Sequence, residues 1–227
     1  MIIVTGATKG LGAAICARLQ SQDKKVFGLA RSVSRLSFDG MDCDVSSYEN
    51  VKAVAKKLKN DKVKVTGLIN AAGISSMNLA VTTTPNMTQK IIQTNLVGTI
   101  YCCQIFSPLM FRNKGGIIIN FSTIAVALGL KGESVYLASK AGVEGFSRSF
   151  AREAADFNVR VNCIAPGMVD SPWECRFPGL DSPDAAERVP LKIVGQPSHY
   201  AEVMLFFAAG ASYVTGQTLL VDGGLRV

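Results

Sequence analysis

Residues 2–12 read Ile-Ile-Val-Thr-Gly-Ala-Thr-Lys-Gly-Leu-Gly, so a short apolar run leads directly into a glycine-rich turn. An amphipathic segment over 11–21 follows that turn. Glycines at a strand-to-helix turn let the backbone approach a pyrophosphate, which the N–H groups and dipole of the helix amino end attract. The stretch therefore predicts a dinucleotide-binding strand-turn-helix unit. The residues expected at the phosphates are Gly6, Thr8, Lys9, Gly10, Leu11 and Gly12.

The rest of the chain repeats this alternation of apolar runs and amphipathic segments. Runs rich in valine and isoleucine cover 2–4, 26–30, 65–70, 117–121, 159–165 and 218–221. Amphipathic segments cover 11–21, 47–59, 86–111, 134–157 and 198–210. Continuous apolar strands separated by helices are typical of a parallel sheet covered on both faces. We expect an α/β fold: one doubly wound Rossmann domain over 1–227, with about seven mostly parallel strands in the order 3-2-1-4-5-6-7.

Composition excludes several classes of protein. Of the 227 residues, 48% are hydrophobic and 18% charged, which is too apolar for a disordered chain. The six cysteines show no CxxC spacing, so we interpret them as buried thiols in a reducing compartment. No apolar stretch reaches the roughly 20 residues of a membrane span, and the first strand directly follows Met1. We therefore expect a cytoplasmic protein without a membrane partner.

The net charge of +7 raises the question of a nucleic-acid partner. The lysines between 52 and 64 are spaced as the solvated face of a helix, and no aromatic residues are interleaved with them. We therefore expect no nucleic-acid binding. The single histidine, His199, leaves a metal site or a Ser-His triad without its parts.

Several motifs in order along the chain resemble the short-chain dehydrogenase/reductase family. They are the Thr-GxxxGxG turn, Asn70-Ala71-Ala72-Gly73, Tyr136-Leu137-Ala138-Ser139-Lys140, Asn162 with Pro166-Gly167, and the pair 215–217 and 222–224. The resemblance covers nearly the whole chain and is strongest to 3-oxoacyl-acyl-carrier-protein reductases. It implies an oxidoreductase with a nicotinamide cofactor and a dimeric or tetrameric assembly.

Charge at the end of the second strand predicts which cofactor is used. Ala30 occupies the position where NAD-preferring relatives carry an aspartate, and Arg31 with Ser32 offers a guanidinium fork and a hydroxyl to a 2′-phosphate. Lys9 adds a second positive charge, so we predict NADP(H). The resemblance places Asp44 and Val45 near the adenine. Only 12 residues separate Arg31 from Asp44, so the helix that usually fills this gap must be short or missing.

The resemblance also assigns the remaining contacts with the cofactor. Asn70, Ala71 and Gly73 line the cofactor side, and Pro166, Gly167, Val169 and Ser171 lie near the nicotinamide amide. The proline-rich stretch over 171–197, which contains Trp173, Phe177 and Leu180, is predicted to be a lid over the substrate.

Tyr136 and Lys140 are one helical turn apart, and a lysine ammonium at that spacing favours the phenolate form of tyrosine. The resemblance implies that Tyr136 donates a proton to the substrate carbonyl and that Lys140 also binds the nicotinamide ribose. It implies that Asn95 holds a water in a proton relay. Thirteen residues before Tyr136 lies Thr123, where relatives usually have serine. Either Thr123 or its neighbour Ser122 would orient the carbonyl, and the register favours Thr123.

The function predicted is hydride transfer between NADP(H) and a ketone or secondary alcohol, with a 3-oxoacyl thioester as one candidate substrate. A sugar, a steroid or another small carbonyl compound is the alternative. A non-catalytic dinucleotide sensor is the alternative of another class, and a degraded tyrosine or lysine would mark it. A nucleotide-sugar epimerase is disfavoured because no second substrate domain is present in the chain.

Overall fold

A computed structural model of the chain describes residues 1–170 and 184–226. In this part of the chain seven strands form one sheet, in the order β3-β2-β1-β4-β5-β6-β7, and every neighbouring pair is parallel. The predicted doubly wound architecture and strand order are confirmed. The strands are β1 (Ile2–Thr5), β2 (Val26–Ala30), β3 (Gly40–Asp42), β4 (Gly67–Asn70), β5 (Gly116–Phe121), β6 (Val159–Pro166) and β7 (Thr218–Val221).

Helices connect these strands and cover both faces of the sheet. They are α1 (Gly10–Gln20), α2 (Tyr48–Asn60), α3 (Pro85–Ile92), α4 (Gly98–Phe111), α5 (Ala125–Leu128), α6 (Ser134–Ala155) and α7 (Pro197–Leu205). The segment predicted as one helix over 86–111 is divided, because a π-helical turn over Gln93–Val97 separates α3 from α4. A second π-helical turn, Phe206–Gly210, extends α7.

The core consists of two apolar layers, one on each face of the sheet. Successive strand residues face opposite layers: Ile3 packs with Phe106 of α4, and Val4 packs with the layer that contains Tyr200 of α7. Strands buried on both faces need continuous apolar sequence, which is the pattern seen in the chain. Five cysteines are buried free thiols, as predicted, and Cys175 lies outside the described residues.

The connection between β2 and β3 contains no helix, as the short spacing predicted. Residues 31–39 form turns, and the side chains of Leu36 and Phe38 fold back onto β2 beside Gly28. The lysines of α2 are solvent-exposed, as expected. Within the described ranges, the protein has no helix that is long and apolar enough to cross a membrane.

The parallel strands place their carboxyl ends along a single edge of the sheet, which is where ligands bind in this architecture. Helix α6 connects β5 to the parallel strand β6, so it starts at this edge and runs back along the sheet. The predicted motifs after β1, β4, β5 and β6 therefore lie along one crevice.

Candidate active site

The glycine turn after β1 is pressed against the first turn of α1. A Cβ on Gly12 would lie 2.3 Å from the Gly6 carbonyl oxygen, and the Ala7 N–H donates to the Leu29 carbonyl at the end of β2, 3.2 Å away. Lys9 precedes α1 without a side-chain cap, and the first turn has no acidic residue. The positive end of the helix dipole is therefore unopposed, and this close backbone fits a pyrophosphate.

The residues predicted on the adenosine side occupy the loops after β1, β2 and β3. Lys9, Arg31 and Ser32 are all exposed, and the Ser32 hydroxyl lies 3.1 Å from that of Ser34. The Asp44 carboxylate accepts hydrogen bonds from the backbone and hydroxyl of Ser46 at 2.9 and 2.6 Å. These contacts fix the start of the loop that leads to α2.

Val45 is only 7% exposed and packs against Gly98 at the start of α4, where an added Cβ would lie 3.0 Å from Val45 Cγ2. Its side chain therefore belongs to the core layer, and the predicted contact with the adenine ring stays a prediction.

The asparagine that ends β4 points into the sheet. Asn70 is 3% exposed, and its Nδ2 donates to Asn120 Oδ1 of β5 at 2.8 Å. Asn120 in turn donates to the Ser147 hydroxyl of α6, also at 2.8 Å. Asn70 thus ties β4 to β5, while the three residues that follow it in the motif, including Ala71 and Gly73, are partly exposed.

Tyr136 and Lys140 lie on the first turns of α6. Lys140 is 6% exposed, its Nζ donates to the Phe121 carbonyl at 2.7 Å, and Nζ lies 6.0 Å from the centre of the Tyr136 ring. Burial lowers the pKa of the Lys140 ammonium to about 8. The structure therefore brings together the predicted proton donor and a buried amine whose pKa lies well below that of an ordinary lysine.

Asn95 lies in the π-helical turn and is fully buried. Its amide exchanges two hydrogen bonds, each of 2.8 Å, with the backbone of Ile74 in the loop after β4. Its Nδ2 also donates to Ser139 Oγ at 3.0 Å, and Ser139 donates to the Tyr136 carbonyl at 2.6 Å. This chain of contacts positions α6 against the loop.

Ser139 is a member of the site that the sequence analysis did not select, although it lies inside the Tyr-x-x-x-Lys motif. Gly73 marks how closely these groups approach: a Cβ there would lie 3.4 Å from Asn95 Oδ1 and 3.7 Å from Lys140 Nζ. The signal in the sequence that could have found Ser139 is its position, as a polar residue between two predicted site residues.

The two hydroxyl candidates after β5 have different partners. Ser122 is 4% exposed and donates to Glu144 Oε1 at 2.6 Å. Thr123 is partly buried and accepts from the Ala125 N–H at 3.2 Å, which leaves its O–H hydrogen uncommitted among the described residues. Glu144 was missed in the sequence, although it follows Lys140 by one helical turn on the same face.

The turn after β6 is fixed by backbone hydrogen bonds. The Pro166 carbonyl accepts from Ile124 N–H at 2.9 Å, and Gly167 N–H donates to the Val221 carbonyl at 2.8 Å. Val169 is buried and forms an isolated parallel bridge with Gly195. Of the predicted lid over 171–197, Ser171 and the rest of 171–183 lie outside the described residues; 184–196 consists of turns, one short 3₁₀ helix and the Gly195 bridge, and Pro197 begins α7.

The described ranges contain no cluster of histidine, cysteine or acidic residues that could hold a metal ion. His199 has a structural contact, because its Nδ1 accepts from the Gln196 N–H at 3.1 Å where α7 begins.

Comparisons with known proteins cover nearly the whole chain. A family model described as "Enoyl-(Acyl carrier protein) reductase" matches residues 5–226. Carbonyl reductase family member 4 of Xenopus tropicalis is 34% identical, over 99% of this chain and 97% of the relative. The 3-oxoacyl-[acyl-carrier-protein] reductase FabG of Thermotoga maritima is 32% identical, over 99% of this chain and 97% of the relative. The ligand-free aldohexose dehydrogenase of Thermoplasma acidophilum superposes with a TM-score of 0.92 at 30% identity, covering 99% of this chain and 92% of that one.

Proposed function

Because the chain belongs to the short-chain dehydrogenase/reductase family, whose members are oxidoreductases that use a nicotinamide dinucleotide, we propose that it is an NADP(H)-dependent reductase of ketones. The reverse reaction is the oxidation of a secondary alcohol. The observation that carries the proposal is the buried Lys140 amine, 6.0 Å from the ring of Tyr136 and hydrogen-bonded to the end of β5. A sensor that only binds the dinucleotide would not need this pair.

In the proposed mechanism, bound NADPH supplies the hydride to the carbonyl carbon. Tyr136 donates its phenolic proton to the carbonyl oxygen, and the Lys140 ammonium stabilises the phenolate that remains. The Thr123 O–H hydrogen-bonds the same oxygen and stabilises the charge that develops there. Lys140 uses one N–H for Phe121 and has others for the nicotinamide ribose.

We assign Asn95 as a positioning residue, since its amide is bonded to Ile74 and Ser139. Through Ser139 it fixes the turn of α6 that bears Tyr136. The water-holding role that the resemblance implies for Asn95 stays a prediction.

Preference for NADP(H) is supported by charge on the adenosine side. Arg31 and Lys9 are exposed cations without an ion-pair partner among the described residues, and Ser32 adds a hydroxyl. We expect Arg31→Ala to lower kcat/KM with NADPH at least ~10-fold, because a charged hydrogen bond to the 2′-phosphate is lost. The value with NADH should stay within about twofold of the wild type. Equal losses with both cofactors would contradict the assignment.

The substrate proposal rests on the rim of the crevice. Exposed apolar side chains project from the loops after β4, β5 and β6, and they are Met77, Leu79, Val81, Leu128, Leu130, Leu191 and Ile193. An apolar rim fits a substrate with a hydrocarbon chain. Together with the relatives named 3-oxoacyl-[acyl-carrier-protein] reductase, it favours a 3-oxoacyl thioester. The similarity to an aldohexose dehydrogenase supports a hydroxylated carbonyl compound as the second candidate.

A ketone panel followed by NADPH absorbance at 340 nm tests the function. The panel holds a 3-oxoacyl thioester, a small hydroxyketone, a sugar and a steroid ketone, and it compares the wild type with Tyr136→Phe. We expect the variant to lose ~10²–10⁴-fold in kcat, because general acid catalysis is removed, while its fluorescence titration with NADPH is unchanged. Tight NADPH binding by a wild type that reduces no ketone would contradict the proposal and favour the sensor.

A further inference from the structure

Two side chains stand out when the ionisable groups are sorted by burial. Among the aspartates, glutamates, lysines, arginines and the histidine in the described ranges, only Glu133 and Lys140 are buried, at 3% and 6% exposure. Charged side chains are rarely buried unless they are paired or functional, and perturbed ionisable groups cluster at functional sites. Lys140 already has a role in the proposed mechanism, and Glu133 has none.

Helix α6 orders these two residues with respect to Tyr136. Glu133 directly precedes the helix, and its carbonyl accepts the Leu137 N–H at 2.8 Å, so it belongs to the helical register. Glu133 and Lys140 are seven residues apart, which is about two turns, and they therefore lie on the same side of the helix. Because α6 starts at the carboxyl edge of the sheet, Lys140 lies deepest, Tyr136 about one turn further out and Glu133 nearly one turn beyond Tyr136. Glu133 therefore lies on the other side of Tyr136 from Lys140, the residue assigned to the cofactor.

The Glu133 carboxylate has no hydrogen bond or ion pair with another described residue. Burial raises the pKa of this carboxyl group. The carboxylate oxygens are not among the enclosed side-chain atoms that lack a hydrogen-bond partner, so the small exposed area of Glu133 includes the carboxylate. Glu144, by contrast, receives the Ser122 hydroxyl at 2.6 Å. A carboxylate that is largely desolvated, has no donor within the described residues and keeps an accessible face is one that a ligand can hydrogen-bond.

We propose that Glu133 is a specificity-determining residue that accepts a hydrogen bond from an O–H or N–H group of the substrate, close to the reacting carbonyl. This inference rests on the proposed function and deepens it. Two kinds of substrate carry such a donor. One is a hydroxyketone or sugar, through the hydroxyl next to its carbonyl, and the other is a pantetheine thioester, through its amide N–H. A substrate with a carboxylate or phosphate at this position is disfavoured by charge repulsion.

The test compares Glu133→Gln, which keeps the shape of the side chain, with Glu153→Gln, an exposed glutamate on the same helix. One substrate pair is an α-hydroxyketone and its deoxy analogue, and the other is a 3-oxoacyl pantetheine thioester and the matching ethyl ester. We expect Glu133→Gln to lower kcat/KM at least ~10-fold for the donor-bearing member of one pair, because a hydrogen bond to a charged group is weakened. The analogue should be affected less than about twofold, and Glu153→Gln should change neither. The pair that responds identifies the source of the donor.

Equal losses for both members of each pair, or no loss for any, would overturn the proposal. Thermal unfolding of the protein without ligand provides a second readout that does not depend on turnover. We expect Glu133→Gln to raise Tm, because it removes a buried charge that has no partner; a lower Tm would show that the carboxylate is bonded within the fold and would also overturn the proposal. A wild type that reduces no ketone would contradict the proposed function, while the Tm comparison would still test Glu133.

Discussion

At the scale of single residues, the site depends on which partner each buried polar atom has found. Ser122 and Thr123 are adjacent and both carry a hydroxyl, yet Ser122 donates to Glu144 whereas the Thr123 oxygen accepts from a backbone N–H. A donor already engaged by a carboxylate at 2.6 Å is a poor donor to a substrate. The two residues therefore have separable effects on stability and on turnover.

We predict that Thr123→Ala lowers kcat ~10²-fold or more, because it removes a hydrogen bond to the oxygen on which charge develops. Thr123→Ser is the matched control and should retain most of the activity. Ser122→Ala should instead lower the free energy of unfolding by about 1–2 kcal/mol, since Glu144 loses its donor, with kcat within a few-fold of the wild type. Steady-state kinetics and urea unfolding measure the two effects. Loss of turnover confined to Ser122→Ala would refute this register.

The buried Lys140 amine predicts a pH dependence of stability. Its pKa is about 8 in the fold against an ordinary value of 10.5, so between these limits the unfolded chain holds more protons than the folded one. The free energy of unfolding should therefore rise with pH across this window, and the full cost of the buried ammonium, roughly 3 kcal/mol, applies below it.

The contribution of Lys140 to the free energy of unfolding is measured by urea unfolding of the wild type and Lys140→Met at pH 7 and pH 10. Groups that do not interact with Lys140 ionise alike in both proteins, so the difference between the two reports Lys140 together with Cys163, whose thiol pKa the ammonium lowers. Between pH 7 and pH 10, we expect the free energy of unfolding of the wild type to rise by about 2–3 kcal/mol relative to that of Lys140→Met. A difference that does not change with pH would show that the amine is not destabilised by burial.

At the scale of elements, the turn between β1 and α1 shows how closely a helix must approach a strand to bind a phosphate. Gly12 contacts the backbone of Gly6, and backbone cannot move aside as a flexible side chain can. The π-helical turn before α4 is a second such adjustment, since it contains Asn95, which is bonded to the loop after β4. Both features keep a helix in a fixed position relative to the crevice.

Gly12→Ala should therefore weaken NADPH binding at least ~10-fold and lower the free energy of unfolding by about 1–3 kcal/mol, because the added methyl forces the turn apart. Gly145→Ala in α6 is the control: no atom lies within 4 Å of a Cβ there, and alanine favours a helix. The control should be as stable as the wild type or up to about 1 kcal/mol more stable. Fluorescence titration and thermal unfolding give the two values. Unchanged NADPH affinity in Gly12→Ala would mean that the turn does not hold the phosphates.

At the scale of the whole molecule, both edges of the sheet are incompletely covered, and the edge at β7 also exposes a large apolar side chain. The inner strands β4 and β5 are almost entirely buried, but no residue of the edge strand β7 is, and Leu219 is 39% exposed. Exposed apolar edge strands are typical of surfaces that another chain covers. A dimer or tetramer, as the resemblance implies, would cover this edge with a second copy of the chain.

Sedimentation equilibrium should accordingly give a mass that is two or four times the 24.1 kDa of one chain. Leu219→Lys should lower that mass without changing the circular dichroism spectrum, because a charge at a covered edge opposes association. A wild type that sediments as a single chain would contradict the prediction.

The sequence by itself determined the architecture and the catalytic motif. The spacing of apolar residues and the local composition can be read from short stretches of sequence. A strand buried on both faces has to be apolar throughout, and a turn that holds phosphate has to be glycine-rich. The alternation of parallel strands and helices, the missing helix after Arg31 and the pairing of Tyr136 with Lys140 on one helix follow from such signals, whereas six apolar runs alone do not give the seven-stranded order. The short strand β3, only Gly40–Asp42, gave no apolar run, and its limits were not predicted.

Only the tertiary structure decided the contacts between residues far apart in the chain. The parallel register that sets Asn70 opposite Asn120 turns the Asn70 side chain into the sheet, and the packing of α6 on β5 gives Ser122 its glutamate. The burial of Glu133 is also a product of packing, since a glutamate that directly precedes a helix is ordinarily exposed. The hydrogen-bond partners of these side chains depend on the distance between whole helices and strands, which no local pattern encodes. They distinguish the polar residues that stabilise the fold from those that remain available to a substrate.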